Sequence, residues 1–351
     1  MWWDYFLRWE AADPMTLTDR FGRPITYLRI SVTDRCNLRC VYCLPGAGVQ
    51  WQPRANQLSA GEIARIAETA AQAGVKRVRL TGGEPLVRAD ILEIVARLAS
   101  IPGIEEVSLT TNAMLLERLA QPLAQAGLKR VNVSLDTLNA DTFKRITRGG
   151  SIDRLWRGIA AAEDAGLTPL KLNTVVVKGV NADELPGLAG LTIENPWHVR
   201  FIELMPVGNA QDWGDGFPAL PDRYISVQEM QARLSDDDPA AGAGLCLQPV
   251  TGPIGNGPAR TFRIPGALGT VGFISPLGEH FCQNCNRLRL TADGSLRPCL
   301  LLDGEVNLRE AVRAGQPLLP YLQQAVDAKP EGHELFLQHY PESRRMAQIG
   351  G

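Results

Sequence analysis

Six of the chain's seven cysteines fall into two short frames. Cys36-x3-Cys40-x2-Cys43 crowds three thiols into one loop, and Cys282-x2-Cys285-x13-Cys299 sets three more near the other end. Thiolate sulfur is a soft ligand that selects zinc, cuprous copper or iron–sulfur clusters. Three thiolates are one short of the closed tetrahedral shell of structural zinc. An iron–sulfur cluster instead leaves one iron open to a small molecule. Zinc or a redox-active Cys pair is the alternative at the first frame. At the second, Cys246 or His280 would complete a zinc ribbon. The histidines are His198, His280, His333 and His339, with no His-x3-His pair, so histidine-based zinc hydrolysis has little to stand on.

Other polar residues recur beside these frames. Thr81-Gly82-Gly83-Glu84-Pro85 is a glycine-rich turn without the spacing or the terminal Lys-Ser/Thr of a P-loop. Asp293-Gly294 reads as a hairpin turn that folds Cys299 back toward Cys282 and Cys285. Arg287 and Arg289 stand two apart, on one side of a strand. Arg77, Arg79 and Thr81 share one face of another strand, against Val78 and Leu80. Asn132/Ser134/Asp136, Ser108/Thr110/Asn112 and Lys171/Asn173 repeat the alternation. Parallel strands buried on both faces usually read as continuous apolar runs. Here one face is polar on several strands and basic at Arg29, Arg79 and Lys171. That pattern calls for a cationic lumen holding a polyanion such as a nucleoside triphosphate.

The elements that must carry these residues alternate. Strand-like runs occur at Tyr27–Val32, Val75–Thr81, Glu106–Thr110, Lys129–Ser134, Leu170–Val176 and His198–Leu204. Amphipathic helical segments with capping signals lie between them: Ser59-x-x-Glu62, Asp90-x-x-Glu93, Asn112 and Asn181-x-x-Glu184. Pro122 is expected to kink or split the helix after Asn112. Strands alternating with helices imply parallel βαβ units. Six fit an α/β fold of the incomplete (βα)6 TIM-like kind, with a doubly wound sheet as the alternative. After Met205 the periodicity stops, and Gly and Pro abound. This loop-rich region holds a helix over 226–234 and short strands near 260–264 and 270–274, and Cys246 stands alone in it. The expected division is an arm over 1–25, a partial barrel over 26–206, and an extension over 207–351 that carries the second metal site.

Bulk properties exclude several functions. The 351 residues are 45% hydrophobic, enough for a full core. A formal net charge of −2 advertises neither nucleic acid nor a membrane as partner. The N-terminal Met1–Trp9 run is aromatic, but it is charged at Asp4 and Arg8 and lacks the apolar run of a signal peptide. Clustered cysteines favour metal over disulfides, and so a reducing compartment.

The Cys-x3-Cys-x2-Cys loop with Tyr42 before its last cysteine, followed one helix later by Gly82-Gly83-Glu84-Pro85, resembles the radical S-adenosylmethionine (SAM) enzymes. Asn286-Arg-Leu-Arg-Leu-Thr-Ala-Asp-Gly294 inside the second cysteine frame, with the Gly350-Gly351 ending, resembles one family among them, the GTP 3′,8-cyclases of molybdenum cofactor biosynthesis. The resemblance covers about residues 26–351. It implies that Cys36, Cys40 and Cys43 hold a [4Fe–4S] cluster whose open iron binds SAM. Tyr42, Gly83, Ser134 and Met205 would line SAM. Cys282, Cys285 and Cys299 would hold a second [4Fe–4S] cluster that contacts the guanine. Arg29, Arg79, Thr110, Lys171, Arg287, Leu288 and Arg289 would bind GTP, with Arg77, Asn112 and Arg200 as weaker candidates. A 5′-deoxyadenosyl radical would take hydrogen from C3′ of the ribose, and the carbon radical would add to C8. Arg287, Gly350 and Gly351 would assist that step. The accompanying expectations are a cytoplasmic homodimer or monomer, GTP as substrate, an electron donor such as flavodoxin or ferredoxin, and the next enzyme of molybdopterin synthesis as a candidate partner. Ala113 departs from the pattern, since the family's Thr-Thr-Asn segment usually continues with Gly. A peptide-modifying radical SAM enzyme with an auxiliary cluster is the alternative within that superfamily, although such enzymes usually carry more C-terminal cysteines. A zinc-stabilised nucleic-acid-binding protein is the alternative outside it.

Overall fold

The computed structural model describes residues 16–44, 51–205, 213–214, 216–219, 221–235, 244–250, 257–278, 281–333 and 343–350. The aromatic run before residue 16, His280 and Gly351 lie outside the described residues. The first half of the chain winds strands and helices in turn: β1 (Tyr27–Ser31), α1 (Ala60–Gln72), β2 (Arg77–Thr81), α2 (Ile91–Ala99), β3 (Glu106–Thr111), α3 (Leu116–Gln125), β4 (Arg130–Ser134), α4 (Ala140–Thr147), α5 (Ile152–Asp164), β5 (Lys171–Val176), α6 (Leu185–Glu194) and β6 (His198–Glu203). β1 to β6 run parallel, each paired with the next. The second half adds α7 (Val227–Leu234), β7 (Gln248–Pro249), β8 (Arg260–Arg263), β9 (Thr270–Ile274), β10 (Arg287–Leu290), β11 (Ser295–Arg297), β12 (Val306–Asn307), α8 (Arg309–Arg313), α9 (Leu319–Asp327) and α10 (Met346–Ile349).

Among the described residues, twelve strands form one sheet in the order β12-β11-β10-β1-β2-β3-β4-β5-β6-β9-β8-β7. β10 joins β1 and β9 joins β6, both in parallel. The six-stranded partial barrel is thereby widened at each edge by a strand from the C-terminal half. No helix among the described residues is long and apolar enough to cross a membrane.

Local chemistry explains the frame. At α1, Glu62 N–H donates to Ser59 Oγ (3.2 Å) and Ser59 N–H to Glu62 Oε2 (2.7 Å), closing the capping box read from sequence. Ile63, Ile66, Ala67 and Ala70 then bury the face toward β1 and β2. A fully buried Ile or Leu contributes about 1.5–3 kcal/mol, and the layer between sheet and helices is built of them: Leu28, Ile30, Val78, Leu80, Leu109 and Val131.

Three capping expectations need correction. α3 begins at Leu116, not at Asn112, and it passes through Pro122 as one element. Asp90 is the N-cap of α2 but its side chain makes no cap bond, because Arg88 takes both its oxygens (2.7 and 3.0 Å). Asn181 precedes a short 3-10 turn, and its amide instead donates to the carbonyls of Asp136 and Val175 (2.7 and 2.9 Å). In each case another hydrogen-bond partner takes the side chain: Arg88 for Asp90, Asn37 and Met114 N–H for Asn112, and the Asp136 carbonyl for Asn181.

Candidate active site

The first cysteine loop leaves the C-terminal end of β1, where parallel-barrel enzymes place their chemistry. It runs directly against the Gly82-Gly83 turn after β2. Gly83 N–H donates to Thr33 O and Glu84 N–H to Arg35 O, each at 2.8 Å. A Cβ on Gly82 would lie 2.5 Å from the Thr33 carbonyl, and one on Gly83 would overlap the Arg35 carbonyl. Both positions therefore require glycine for close approach of backbones. Glu84, wholly buried, accepts from Thr111 Oγ1 (2.7 Å), Leu86 N (3.1 Å) and Asn112 N (2.7 Å). Burial pushes its carboxyl up to about 7, against those hydrogen bonds. Asn112 Nδ2 reaches Asn37 Oδ1 (2.8 Å) and Cys36 Sγ (3.7 Å). Ala113 holds φ +65, the left-handed region that glycine adopts freely, which explains the glycine usual there.

Cys36, Cys40 and Cys43 share one cavity of about 1150 Å³, counting its open mouth. Tyr42, Gly83, Ser134 and Met205 line the same cavity, as does Thr110. So do Asp136, Glu84 and, from α10, Met346 and Ala347. Tyr42 is fixed by its hydroxyl, which donates to Asp136 Oδ2 at 2.5 Å, while Asp136 Oδ1 accepts from Val175 N (2.9 Å). Burial raises the Asp136 carboxyl to about 6. Burial, followed by Glu84, lifts the Cys36 thiol to about 11. Cys40 and Cys43 are raised further by burial and by neighbouring thiols and Asp136.

Deeper in the barrel the inner face is basic. Register places Arg29 between Arg79 and Arg289, and Lys171 between Asn132 and His198. Arg130, Lys171, Arg200 and Arg289 are all at most 8% exposed. Burial, then neighbouring cations, lowers Lys171 to about 6, Arg200 to about 9 and Arg289 to about 10, and pulls Arg29 well down. His198, donor or acceptor to Thr270 Oγ1 at 2.7 Å, falls to about 4 for the same reasons. Thr110 Oγ1, Asn132 Nδ2, Asn173 Oδ1 and Arg287 Nε are buried with no hydrogen-bond partner among the described residues. Buried polar atoms are normally satisfied. A large anion with several acceptors and a donor edge would satisfy these, and would offset the crowding of cations.

The second cysteine frame forms where β10 and β11 make a hairpin through Asp293-Gly294, as the sequence implies. Cys282 opens a 3-10 turn that ends at Cys285, and Cys285 leads into β10. Lys329, only 2% exposed, donates to Arg287 O (2.8 Å) and Pro298 O (3.0 Å) and lies 3.6 Å from Cys285 Sγ. It ties the arms that carry Cys285 and Cys299. Arg23 bonds Cys282 O (2.6 Å), Pro330 O (2.5 Å) and Glu331 O (3.0 Å), and is held by buried Asp19 at 2.6 Å. Burial would raise Cys285, but Lys329 and Arg287 bring it down to about 7.

α10 joins the two regions. Its Ile349 packs on Leu301 within a cluster that includes Cys299, Met205 and Met346. Gly350 follows in the left-handed region at φ +68, with its carbonyl accepting from Arg289 Nη1 at 2.5 Å. A Cβ there would overlap Thr81 Oγ1.

Tyr42, Gly83, Thr110, Ser134 and Met205 thus share the cavity of Cys36, Cys40 and Cys43, whereas Cys282, Cys285 and Cys299 are not among its lining residues. Arg29, Arg79 and Arg289 share the basic inner face by register. Leu288 does not: alternation along β10 turns its side chain, 1% exposed, into the core with Leu28. Arg77 meets Glu105 (3.5 Å) at the other end of β2. Cys246 is exposed. Glu84, Asp136, Arg130, Lys329 and Arg23 carry site geometry that the sequence reading left without a role. Asp136 was visible in the polar alternation of β4, whereas Lys329 and Arg23 sit in no recognisable pattern. The described residues hold no set of three or more His, Cys, Asp or Glu arranged about a single ion. Three cysteines lining one cavity supply three thiolates, the number that leaves one iron of a [4Fe–4S] cluster open.

A partial parallel barrel with three thiols at the end of its first strand, packed against a Gly-Gly-Glu turn, defines a radical SAM enzyme. The Radical SAM superfamily profile matches residues 30–191, and the Molybdenum Cofactor Synthesis C profile matches residues 197–335. A crystal structure of Streptococcus suis SuiB bound to S-adenosylmethionine shares the fold at a TM-score of 0.56 and 15% identity, over 87% of this chain and 69% of that one. A GTP 3′,8-cyclase of Pelotomaculum thermopropionicum is 49% identical across 95% of this chain and 100% of its own length, and that of Listeria monocytogenes is 47% identical across 95% and 99%. The chain belongs to the GTP 3′,8-cyclase family. Its superfamily works with a [4Fe–4S] cluster and SAM.

Proposed function

We propose that this chain converts GTP to (8S)-3′,8-cyclo-7,8-dihydroguanosine 5′-triphosphate for molybdopterin synthesis, using two three-cysteine sites that open on one chamber. Cys36, Cys40 and Cys43 hold the [4Fe–4S] cluster that binds SAM, and Cys282, Cys285 and Cys299 hold a second. The observation that carries the reading is α10, which touches the cavity of the first three cysteines and packs beside Cys299.

The bound cluster and SAM supply the one-electron chemistry that removes hydrogen from the substrate. The protein does the rest by orientation. Tyr42, Gly83, Ser134 and Met205 form the wall against SAM, with Tyr42 locked by Asp136. Arg29, Arg79, Lys171, Arg287 and Arg289 hold the triphosphate and purine by charge-assisted bonds, and Thr110 offers its unpaired hydroxyl. Leu288 contributes only backbone. Met346 and Ala347 narrow the mouth and exclude water, and the Gly350 carbonyl meets Arg289; Gly350 and Gly351 would assist the radical step. The 26–206 barrel would then hold SAM and the 207–351 extension the purine. The enzyme would work in the cytoplasm as monomer or homodimer, with a flavodoxin or ferredoxin as donor, and pass its product to the next enzyme of the pathway.

The test is anaerobic, reconstituted protein with SAM, dithionite and GTP. The expected result is 5′-deoxyadenosine and cyclised nucleotide formed together. 5′-Deoxyadenosine appearing at the same rate without GTP, and no cyclised nucleotide, would overturn the reading.

A further inference from the structure

α10 is four residues long, far too short to hold its own shape in water. Something must seat it. Just before it, Arg344 makes a two-pronged contact with Glu305, Nε to Oε1 at 2.6 Å and Nη2 to Oε2 at 2.8 Å. Its Nη2 also bonds Asp293 Oδ2 (2.9 Å) and reaches Ser295 Oγ (3.4 Å). Ser343 adds its N–H and its hydroxyl to Asp303 Oδ1, at 3.1 and 2.5 Å. Arg297, buried beneath, also pairs with Glu305 and bonds Leu302 O. These carboxylates stand on the β10–β11 turn and between β11 and β12, so the partner surface is the hairpin that carries Cys299.

We infer that Ser343 and Arg344 are a clasp, with Arg344 the positioning residue that seats Gly350 against Arg289 and Thr81. The side chains of Arg344 and Asp293 are each 14% exposed, so solvent screens their pair weakly. Burial would raise Asp293, yet its hydrogen bond and charge pairing with Arg344 hold it below the usual carboxylate range. The lever from Arg344 to Gly350 is short: five residues lie between them, four of them α10. Loss of the clasp should therefore be felt at Gly350 rather than absorbed on the way. The consequence for catalysis rests on the proposed cyclase reading; the seating itself does not.

Two readouts separate them. In Arg344→Met protein with both clusters loaded, amide hydrogen exchange at Gln348 and Gly350 should quicken about tenfold or more, the scale of losing a charged hydrogen bond. Arg344→Lys should restore only part of the protection, because an ammonium cannot bridge Glu305 and Asp293 as the planar fork does. With GTP and SAM, Arg344→Met should yield about tenfold less cyclised nucleotide per 5′-deoxyadenosine, while iron and sulfide stay at the wild-type level. Asp303→Asn, at the exposed half of the clasp, should move both readouts the same way by less, and it serves if Arg344→Met does not fold. Wild-type exchange in both variants would overturn the clasp. Fast exchange with wild-type coupling would overturn its catalytic role alone. Were wild-type protein to make no cyclised nucleotide, the cyclase reading would fail while the exchange result still decided the clasp.

Discussion

The two three-cysteine regions use the same residue type in opposite electrostatic settings. Around Cys36, Cys40 and Cys43 the buried ionisable neighbours are carboxylates, Glu84 and Asp136, and the thiols are pushed upward. Around Cys285 the neighbours are cations, Lys329 and Arg287, and that thiol is pulled down to about 7, while burial still raises Cys282. The first loop is built against backbone, through two glycines that admit the Thr33 and Arg35 carbonyls. The second is assembled from distant pieces, with Arg23 and Lys329 bridging segments far apart in sequence. The difference teaches that one frame is a local, preformed loop at a strand end, while the other exists only once both ends of the chain have docked. It also surrounds Cys285 with cations, a setting that attracts an anion.

The largest effects should come from breaking the two frames separately. Cys43→Ala should abolish 5′-deoxyadenosine formation and remove about half of the iron. Cys285→Ala should remove the other half, leave some SAM cleavage, and abolish cyclised nucleotide. Iron and sulfide quantitation beside product analysis checks both. If the two variants lost the same product and the same iron, the division of labour would be wrong.

A smaller effect should distinguish the local frame from the assembled one. Gly83→Ala puts a methyl into the Arg35 carbonyl, and forcing the loop away should cost about 1–3 kcal/mol. The expected outcome is a lowered Tm and lost iron at the first frame only, with the second keeping its spectroscopic signal. Equal loss at both would mean that the loops are coupled through the sheet rather than built independently.

Much of this was legible in sequence because it is local. Ser59-x-x-Glu62 and Ser226-x-x-Glu229 cap helices as their spacing implies. The alternation of Arg79 and Lys171 with apolar residues does mark an inner polar face. What was not legible is non-local. No periodicity announces that β10 pairs with β1, some 260 residues away in register at Tyr27 and Arg287. Asn112 and Asn181 looked like caps because the same amide chemistry serves both purposes. The structure spends them on the cysteine loop and on Asp136. Pro122 was read as a break, yet α3 continues, with Ala126 N–H bonding its carbonyl at 3.0 Å.

The finest contrast is a pH dependence in metal-free chain. Cys36 and Cys285 are both half-exposed, so access does not separate them. At pH 7 about half of a thiol at about 7 is thiolate, whereas one at about 11 is thiolate to roughly one part in ten thousand. The more basic thiolate is the better nucleophile, which returns about two decades over that span. Alkylation at Cys285 should therefore outrun that at Cys36 by about 100-fold at pH 7. The gap should close at about pH 9 and reverse above it, because Cys36 gains thiolate while Cys285 is already ionised. Lys329→Met removes the largest influence lowering Cys285, so its alkylation should shift to higher pH while Cys36 stays put. Peptide mapping after timed iodoacetamide labelling gives both rates. Equal labelling at pH 7, or an unmoved Cys285 profile in Lys329→Met, would show that the opposed charge settings do not reach the sulfurs.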